Sequence, residues 1–265
     1  MNDKKKAKIE KRKKLLYKQQ EMRVLRNKEK RLIKLKIKQQ KQNYIKTNIL
    51  IAGMAQSGST RLYNCIIKIY EQLNYQIKCG FYSQIKQPKF DMNKINIFKI
   101  HHYTRNIDPT DFDYIILPIR DVRDSSISTI MRHNLSLNVN TVIKESEDNI
   151  KLLNEWIDYA DCIAKYEEFN ENFIKKLLNN LKLNLNNEQI NTILLELHNM
   201  HNSKTIVTKN TWDDIEFQKT LLSQSHNTSG GKSKKYKTFF TYKENQEILN
   251  NENIKNFLQK YNYIE

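Results

Sequence analysis

Asn48-Ile49-Leu50-Ile51-Ala52-Gly53-Met54-Ala55-Gln56-Ser57-Gly58-Ser59-Thr60-Arg61-Leu62 runs from an apolar, strand-like stretch through a small-residue loop into a helical pattern. A backbone arranged in this way can cradle a phosphate. Glycine lets main-chain N–H groups approach an anion closely, and the N-terminus of the following helix offers unbonded N–H groups at the positive end of its dipole. The chain has only 5 glycines, and four of them fall in two short segments, Gly53 with Gly58 and Gly230 with Gly231. The same glycines would also suit a strand-to-helix turn with no ligand.

Working outward, apolar runs alternate with helical patterns. Residues 48–53, 75–79, 95–100, 113–119 and 162–166 read as strands; about 59–74, 123–133, 147–160, 170–181, 187–200 and 243–260 read as helices. Short apolar runs separated by helices imply a parallel sheet covered on both faces. The expectation is an α/β, three-layer, P-loop-like fold with its central parallel sheet flanked by helices. Ligands collect at the carboxyl ends of such strands. Residues 56–60, His101 with His102, and residues 120–128 all follow strand ends, and so should converge. Segments 80–93, 134–146 and 202–228 are polar and unpatterned, and are left to shape whatever pocket lies alongside.

The strong positive charge is local. Residues 1–46 hold 19 Lys/Arg and 4 Asp/Glu, whereas the whole chain holds 46 and 29, which leaves 27 and 25 for residues 47–265. A near-neutral domain, 47–265, therefore stands behind a basic extension, 1–46, whose apolar residues keep no sustained heptad. A solvated arm, helical or disordered, is expected. Its charge alone would suit a polyanion: nucleic acid, an acidic glycan or an anionic membrane. A solubilising tail is the plain alternative. No run approaches the ~20 apolar residues of a membrane span, and no apolar signal core opens the chain. Cys65, Cys79 and Cys162 show no metal or redox spacing, which suits reduced thiols in the cytoplasm. No metal site is signalled. The oligomeric state is not legible.

Gly53 to Gly58 has the spacing of a nucleotide-triphosphate P-loop, G-x-x-x-x-G-K-[ST], with Thr60 near the hydroxyl position. Ser59 stands where that motif needs lysine, so the main cation for β- and γ-phosphates is missing. Kinase or NTPase chemistry is therefore the weaker reading.

Five segments together resemble the sulfotransferase family. Ala55-Gln56-Ser57-Gly58-Ser59-Thr60 is similar to its 5′-phosphosulfate loop, [PR]-[KR]-S-G-[ST]-T. Tyr114 through Ser128, with Arg120 and a Ser eight residues later, resembles its 3′-phosphate segment. Phe98-Lys99-Ile100-His101 matches a strand ending in K-x-H. Ala164-Lys165-Tyr166-Glu167-Glu168-Phe169 looks like Y-E-[DE]-[LF]. Gly230 through Thr241 resembles the C-terminal G-x-x-G-x-W-[KR]-x-x-[FL]-[ST] loop. The match spans about 48–265, in the family's order.

The resemblance implies sulfuryl transfer from 3′-phosphoadenosine 5′-phosphosulfate to a hydroxyl or amine acceptor of unread class, with no metal. It puts Gln56, Ser57, Gly58, Ser59 and Thr60 around the 5′-phosphosulfate, and Arg120 and Ser128 on the 3′-phosphate. Tyr166 falls near the adenine, and Gly231, Lys232 and Lys235 on a closing loop. His101 is implied as general base, with Lys99 on its face replacing the cation that Gln56 lacks. Each has a plainer reading: a structural histidine, a solvated lysine, Arg120 paired with Asp121 or Asp124, a solvated lysine loop. Departures are Gln56 for Lys/Arg, Arg61 for an aromatic residue, and Ser229-Gly230 for the Arg-Lys pair. A non-catalytic nucleotide-binding relative is the alternative reading.

Overall fold

A computed structural model of the chain describes residues 3–39, 47–82, 89–103, 107–202, 215–222 and 232–264. Five strands, β1 (Asn48–Ile51), β2 (Ile77–Phe81), β3 (Ile95–Lys99), β4 (Tyr114–Ile119) and β5 (Cys162–Lys165), form one sheet in the order β2-β3-β1-β4-β5. Every pairing is parallel. All five apolar runs are strands, within a residue or two of their expected ends.

The two-residue period of a strand separates two cores. Ile49, Ile51, Ile95, Ile97, Tyr114 and Ile116 face one layer. It is built from α2 (Ser59–Gln72), α5 (Glu171–Leu181), α6 (Asn187–Asn202) and α7 (Ile215–Thr220). Leu50, Phe98, Ile115, Leu117 and Ile119 face the other, formed by α3 (Val122–Arg132), α4 (Val139–Asn154), the short α8 (Tyr236–Phe239), α9 (Tyr242–Leu249) and α10 (Glu252–Lys260). The result is three layers, helix–sheet–helix. Pro118 is tolerated inside β4 because β1 stops pairing at Ile51 with Ile116, so its missing N–H leaves no gap in that ladder.

Two helical expectations need correction. The fourth helix begins at Val139, not near 147, because the Asn138 side chain accepts from Thr141 N–H and caps it. Residues 139–146 thus belong to a helix, not to an unpatterned pocket wall. The pattern over 243–260 is two helices, since Asn251 accepts from Ile254 N–H and restarts the chain as α10. Thr241 and Glu244 form a capping box at the start of α9.

The arm is also only partly solvated. Helix α1 (Asp3–Gln39) lays a stripe of Val24, Asn27, Lys28, Arg31, Lys34 and Leu35 on the domain, at the three- and four-residue spacing of one helix face. Arg31 is the anchor. Its guanidinium pairs with Asp161 and donates to the carbonyls of Phe112 (3.3 Å) and Tyr159 (3.1 Å). Lys28 reaches Asp158 at 3.1 Å and Lys34 reaches Asp111 at 3.2 Å. All these partners precede β4 or β5, so α1 docks at the amino edge of the sheet.

Candidate functional site

The carboxyl edge gathers the loops that follow β1, β3, β4 and β5, four adjacent strands. After β1, Gly53 (φ 100°) and Gly58 (φ 82°) adopt the left-handed region. Glycine is needed twice over at residue 58. A Cβ there would overlap Tyr166 Cδ2 and stand 2.9 Å from Tyr166 Cε2. Gln56 also has positive φ, at 52°. Its strain is held by a fixed loop: Ala55 N–H donates to Asn149 Oδ1 at 3.0 Å, and the buried Asn149 donates to Ser125 Oγ at 3.3 Å. Ser57 spends its hydroxyl proton on Met54 O at 2.8 Å, so this side chain stiffens the loop instead of offering a donor outward. Gly58 supplies no side-chain cap to α2, leaving the helix's first amides for another acceptor. Ser59 and Thr60 are buried in that first turn.

After β3, Lys99 Nζ donates to Thr60 Oγ1 at 2.8 Å, inside the protein. Burial, with Arg132 adding repulsion, lowers the Lys99 ammonium to about 7. The strand ends at Lys99, so His101 and His102 lie beyond it in a bend. His101 is half-buried and His102 exposed. Nδ1 of His101 stands 2.8 Å from Gly53 O. A carbonyl can only accept, so Nδ1 carries the proton and Nε2 keeps its lone pair. Burial and then Lys99 push this imidazole down to about 3. Trp156 Nε1–H donates to His101 O at 3.0 Å and fixes the main chain there.

After β4, Arg120 is 4 % exposed and Lys235 6 %. They converge on Ser128: Lys235 Nζ donates to Ser128 Oγ at 3.1 Å, and Arg120 Nη1 lies 3.5 Å from it. Ser128 itself donates to Asp124 O. Arg120 Nη2 donates to Lys232 O at 2.6 Å, so Lys232 contributes its carbonyl while the residue as a whole is exposed. The Arg120 guanidinium lies 4.5 Å from the centroid of Tyr166, the ring that touches Gly58. The first glycine loop, the β4 end and the β5 end therefore meet through one aromatic ring. Of the two acids offered as partners for Arg120, Asp121 goes instead to Arg123, bidentately (3.0 and 2.6 Å), and also caps α3. Asp124 Oδ2 stands 3.8 Å from Arg120 Nη2. Burial raises the Asp124 carboxyl, and lowers Lys235 to about 8 with Arg120 adding repulsion.

Lys99, Arg120 and Lys235, all nearly fully buried, thus line one edge, where the buried carboxylate of Asp124 and the more exposed carboxylate of Glu167 face Arg120. Arg120 Nε and Asp124 Oδ2 are buried without a hydrogen bond. Buried cations outnumbering carboxylates, an unsatisfied guanidinium N–H and open helix amides fit a ligand with two anionic groups. Among the described residues, no group of three or more His, Cys, Asp or Glu could hold a metal ion. Gly230 and Gly231 lie outside the described residues. Asn149 and Trp156, which hold the cradle and the histidine from α4 and just beyond it, carried no sequence signal, because neither belongs to a motif.

No family model matches the chain, and no curated protein matches it. Solved structures do. Mouse sulfotransferase SULT7A1 complexed with PAP is 16 % identical, over 81 % of this chain and 88 % of its own, with a TM-score of 0.55. Retinol dehydratase in a complex with retinol and PAP is 17 % identical, over 81 % and 82 %, at 0.56. Retinol dehydratase with androsterone and inactive cofactor PAP is 16 % identical, over 80 % of each chain, at 0.57.

The chain has the sulfotransferase fold.

On that fold, the β1 loop, the K-x-H strand end, Arg120 with Ser128, and Tyr166 all lie at one edge of the sheet. The tail that follows Gly231 joins them through Lys232 and Lys235. No helix among the described residues is long and apolar enough to cross a membrane.

Proposed function

We propose that this chain transfers a sulfuryl group from 3′-phosphoadenosine 5′-phosphosulfate to a hydroxyl or amine acceptor. The observation that carries the reading is the pair of buried cations, Arg120 and Lys235, meeting at Ser128 while Tyr166 ties Arg120 to the first glycine loop. One anion site at residue 128 and a second at the α2 N-terminus suit a nucleotide phosphorylated at both ends. Arg120, Lys235 and Ser128 would hold the 3′-phosphate, with the guanidinium fork matching its oxygens. The amides of residues 58–60, Thr60 and Lys99 would hold the 5′ end. Lys99 thereby supplies the positive charge that Gln56 lacks.

When bound, the donor supplies an activated sulfuryl group on its 5′-phosphate. The protein's part is to position it and to stabilise charge that builds on the bridging oxygen, a role that would fall to Lys99 and the α2 amides. His101 would accept the acceptor's proton at Nε2, because Gly53 O holds the Nδ1 proton in place. The indole N–H of Trp156, donated to the His101 carbonyl, keeps the histidine's main chain in place.

Calorimetry tests the reading without knowledge of the acceptor. Adenosine 3′,5′-bisphosphate should bind at least ~10-fold more tightly than AMP or ATP, a difference of ~1.4 kcal/mol. Arg120→Ala should erase that preference. Equal affinities for all three nucleotides in the wild type would overturn the proposal.

A further inference from the structure

The arm has two faces, and only one is used by the domain. The docked stripe begins at Val24 and contains every residue from 24 to 37 that is not exposed. Opposite it, Leu15, Met22 and Ile33 are 57 %, 46 % and 59 % exposed. At ~100° per residue these three fall within about 20° of one line along the helix. Lys18, Arg26 and Lys30 are exposed beside them, with Glu29 as the acid on that face. Apolar side chains set among long cations form the surface of a helix that lies in a lipid interface, with cations reaching the headgroups and the apolar groups entering below them. Charge alone would serve a nucleic acid equally well, but a phosphate backbone gives Leu15, Met22 and Ile33 nothing to bury against.

We propose that the outward face of α1 is a docking surface for an anionic phospholipid membrane, on which the helix lies flat and carries the domain. Helix α1 is too charged to span a bilayer, so the attachment is peripheral. Its geometry leaves the candidate site open. Arg31 pins α1 to the carbonyls of Phe112 and Tyr159, before β4 and β5 begin, whereas the site lies where those strands end. The six residues of β4 separate the two by ~20 Å. The arm is thus remote from the candidate donor site. This inference does not depend on the reaction proposed above.

The test is sedimentation of the full chain with phosphatidylcholine vesicles, with and without phosphatidylserine, beside a binding assay on duplex DNA. The wild type should bind the phosphatidylserine vesicles at least about ten-fold more strongly than the neutral ones. Leu15→Gln/Met22→Gln/Ile33→Gln should lower vesicle binding about ten-fold and leave any DNA binding unchanged. Lys18→Gln/Arg26→Gln/Lys30→Gln should lower both. These side chains are exposed, and an unchanged thermal midpoint will verify that the variants fold. Anionic-vesicle binding that is indifferent to the apolar triple substitution would overturn the proposal. So would wild-type binding that is equal on both vesicles or confined to DNA.

Discussion

Lys99 and Thr60, 39 residues apart in the chain, meet at 2.8 Å beneath the glycine loop. The contact places a lysine with an ammonium lowered to about 7 against the first turn of α2. A second lysine, Lys235, is lowered to about 8 at Ser128. An anion bound at either place favours the charged form. Binding of adenosine 3′,5′-bisphosphate at pH ~8 should therefore take up protons, and affinity should fall as pH rises through about 7 to 9. Calorimetry in buffers of different ionisation enthalpy reads the uptake directly. Zero uptake would show that neither lysine meets the ligand.

In the unliganded protein Lys99 acts with the opposite sign. Its folded pKa lies below the ordinary lysine value, so from about 7 to 10.5 the unfolded chain binds more protons than the native one. Stability contributed by this group therefore rises with pH across that window. Denaturant titrations of the wild type and Lys99→Met should diverge there, with the variant lacking the rise.

Gly58→Ala should cost about 3 kcal/mol. Roughly 1–2 kcal/mol comes from a left-handed backbone at φ 82°, the rest from overlap with Tyr166. Adding Tyr166→Ala should relieve the overlap and leave the backbone term, giving a measurable coupling in a double-mutant cycle. Strict additivity would contradict the packing described.

The strands and the cradle were legible because they are local: Asn48–Ile51 is apolar, and the glycines of residues 53–58 follow it. The resemblance to the sulfotransferases supplied the order of the remaining segments, and the shared edge of one parallel sheet explains why they meet. The missed start of α4 was locally encoded, at Asn138 and Thr141, but its β-branched Val139, Thr141, Val142 and Ile143 disguised a helix. The docking of α1 was hidden for a different reason. Its stripe is largely polar, because it meets carbonyls and carboxylates rather than an apolar core, so hydrophobic periodicity had little to register. Asn149 holding Ala55 joins positions 94 apart in the chain and has no local signature.

His101 should behave as a permanently neutral base. With its imidazole pushed down to about 3, it loses no protonation equivalent between about pH 5 and 8. Once an acceptor is found, the pH–rate profile should lack an acidic limb near the ordinary histidine pKa. Nitrogen NMR should report the Nδ1–H tautomer bonded to Gly53 O. His101→Ala should keep nucleotide affinity and lose at least ~100-fold in turnover, the usual scale of general-base removal. A variant that retains turnover would assign the proton to another group.

Arg31→Ala should destabilise the fold by ~3 kcal/mol, since it strips a buried partner from Asp161 and two carbonyls of their donor. The substituted chain keeps Asp161 as acceptor for Ile115 N–H at 2.7 Å, so β4 and β5 should persist while α1 detaches. Arg31→Lys should recover little, because one ammonium cannot span a carboxylate and two separate carbonyls. Hydrogen exchange discriminates the outcomes. Amides of residues 24–37 should lose protection in Arg31→Ala while those of β1 and β4 keep theirs. Uniform loss across the sheet would mean that the arm is integral to the core, whereas unchanged protection in 24–37 would mean that Arg31 anchors nothing.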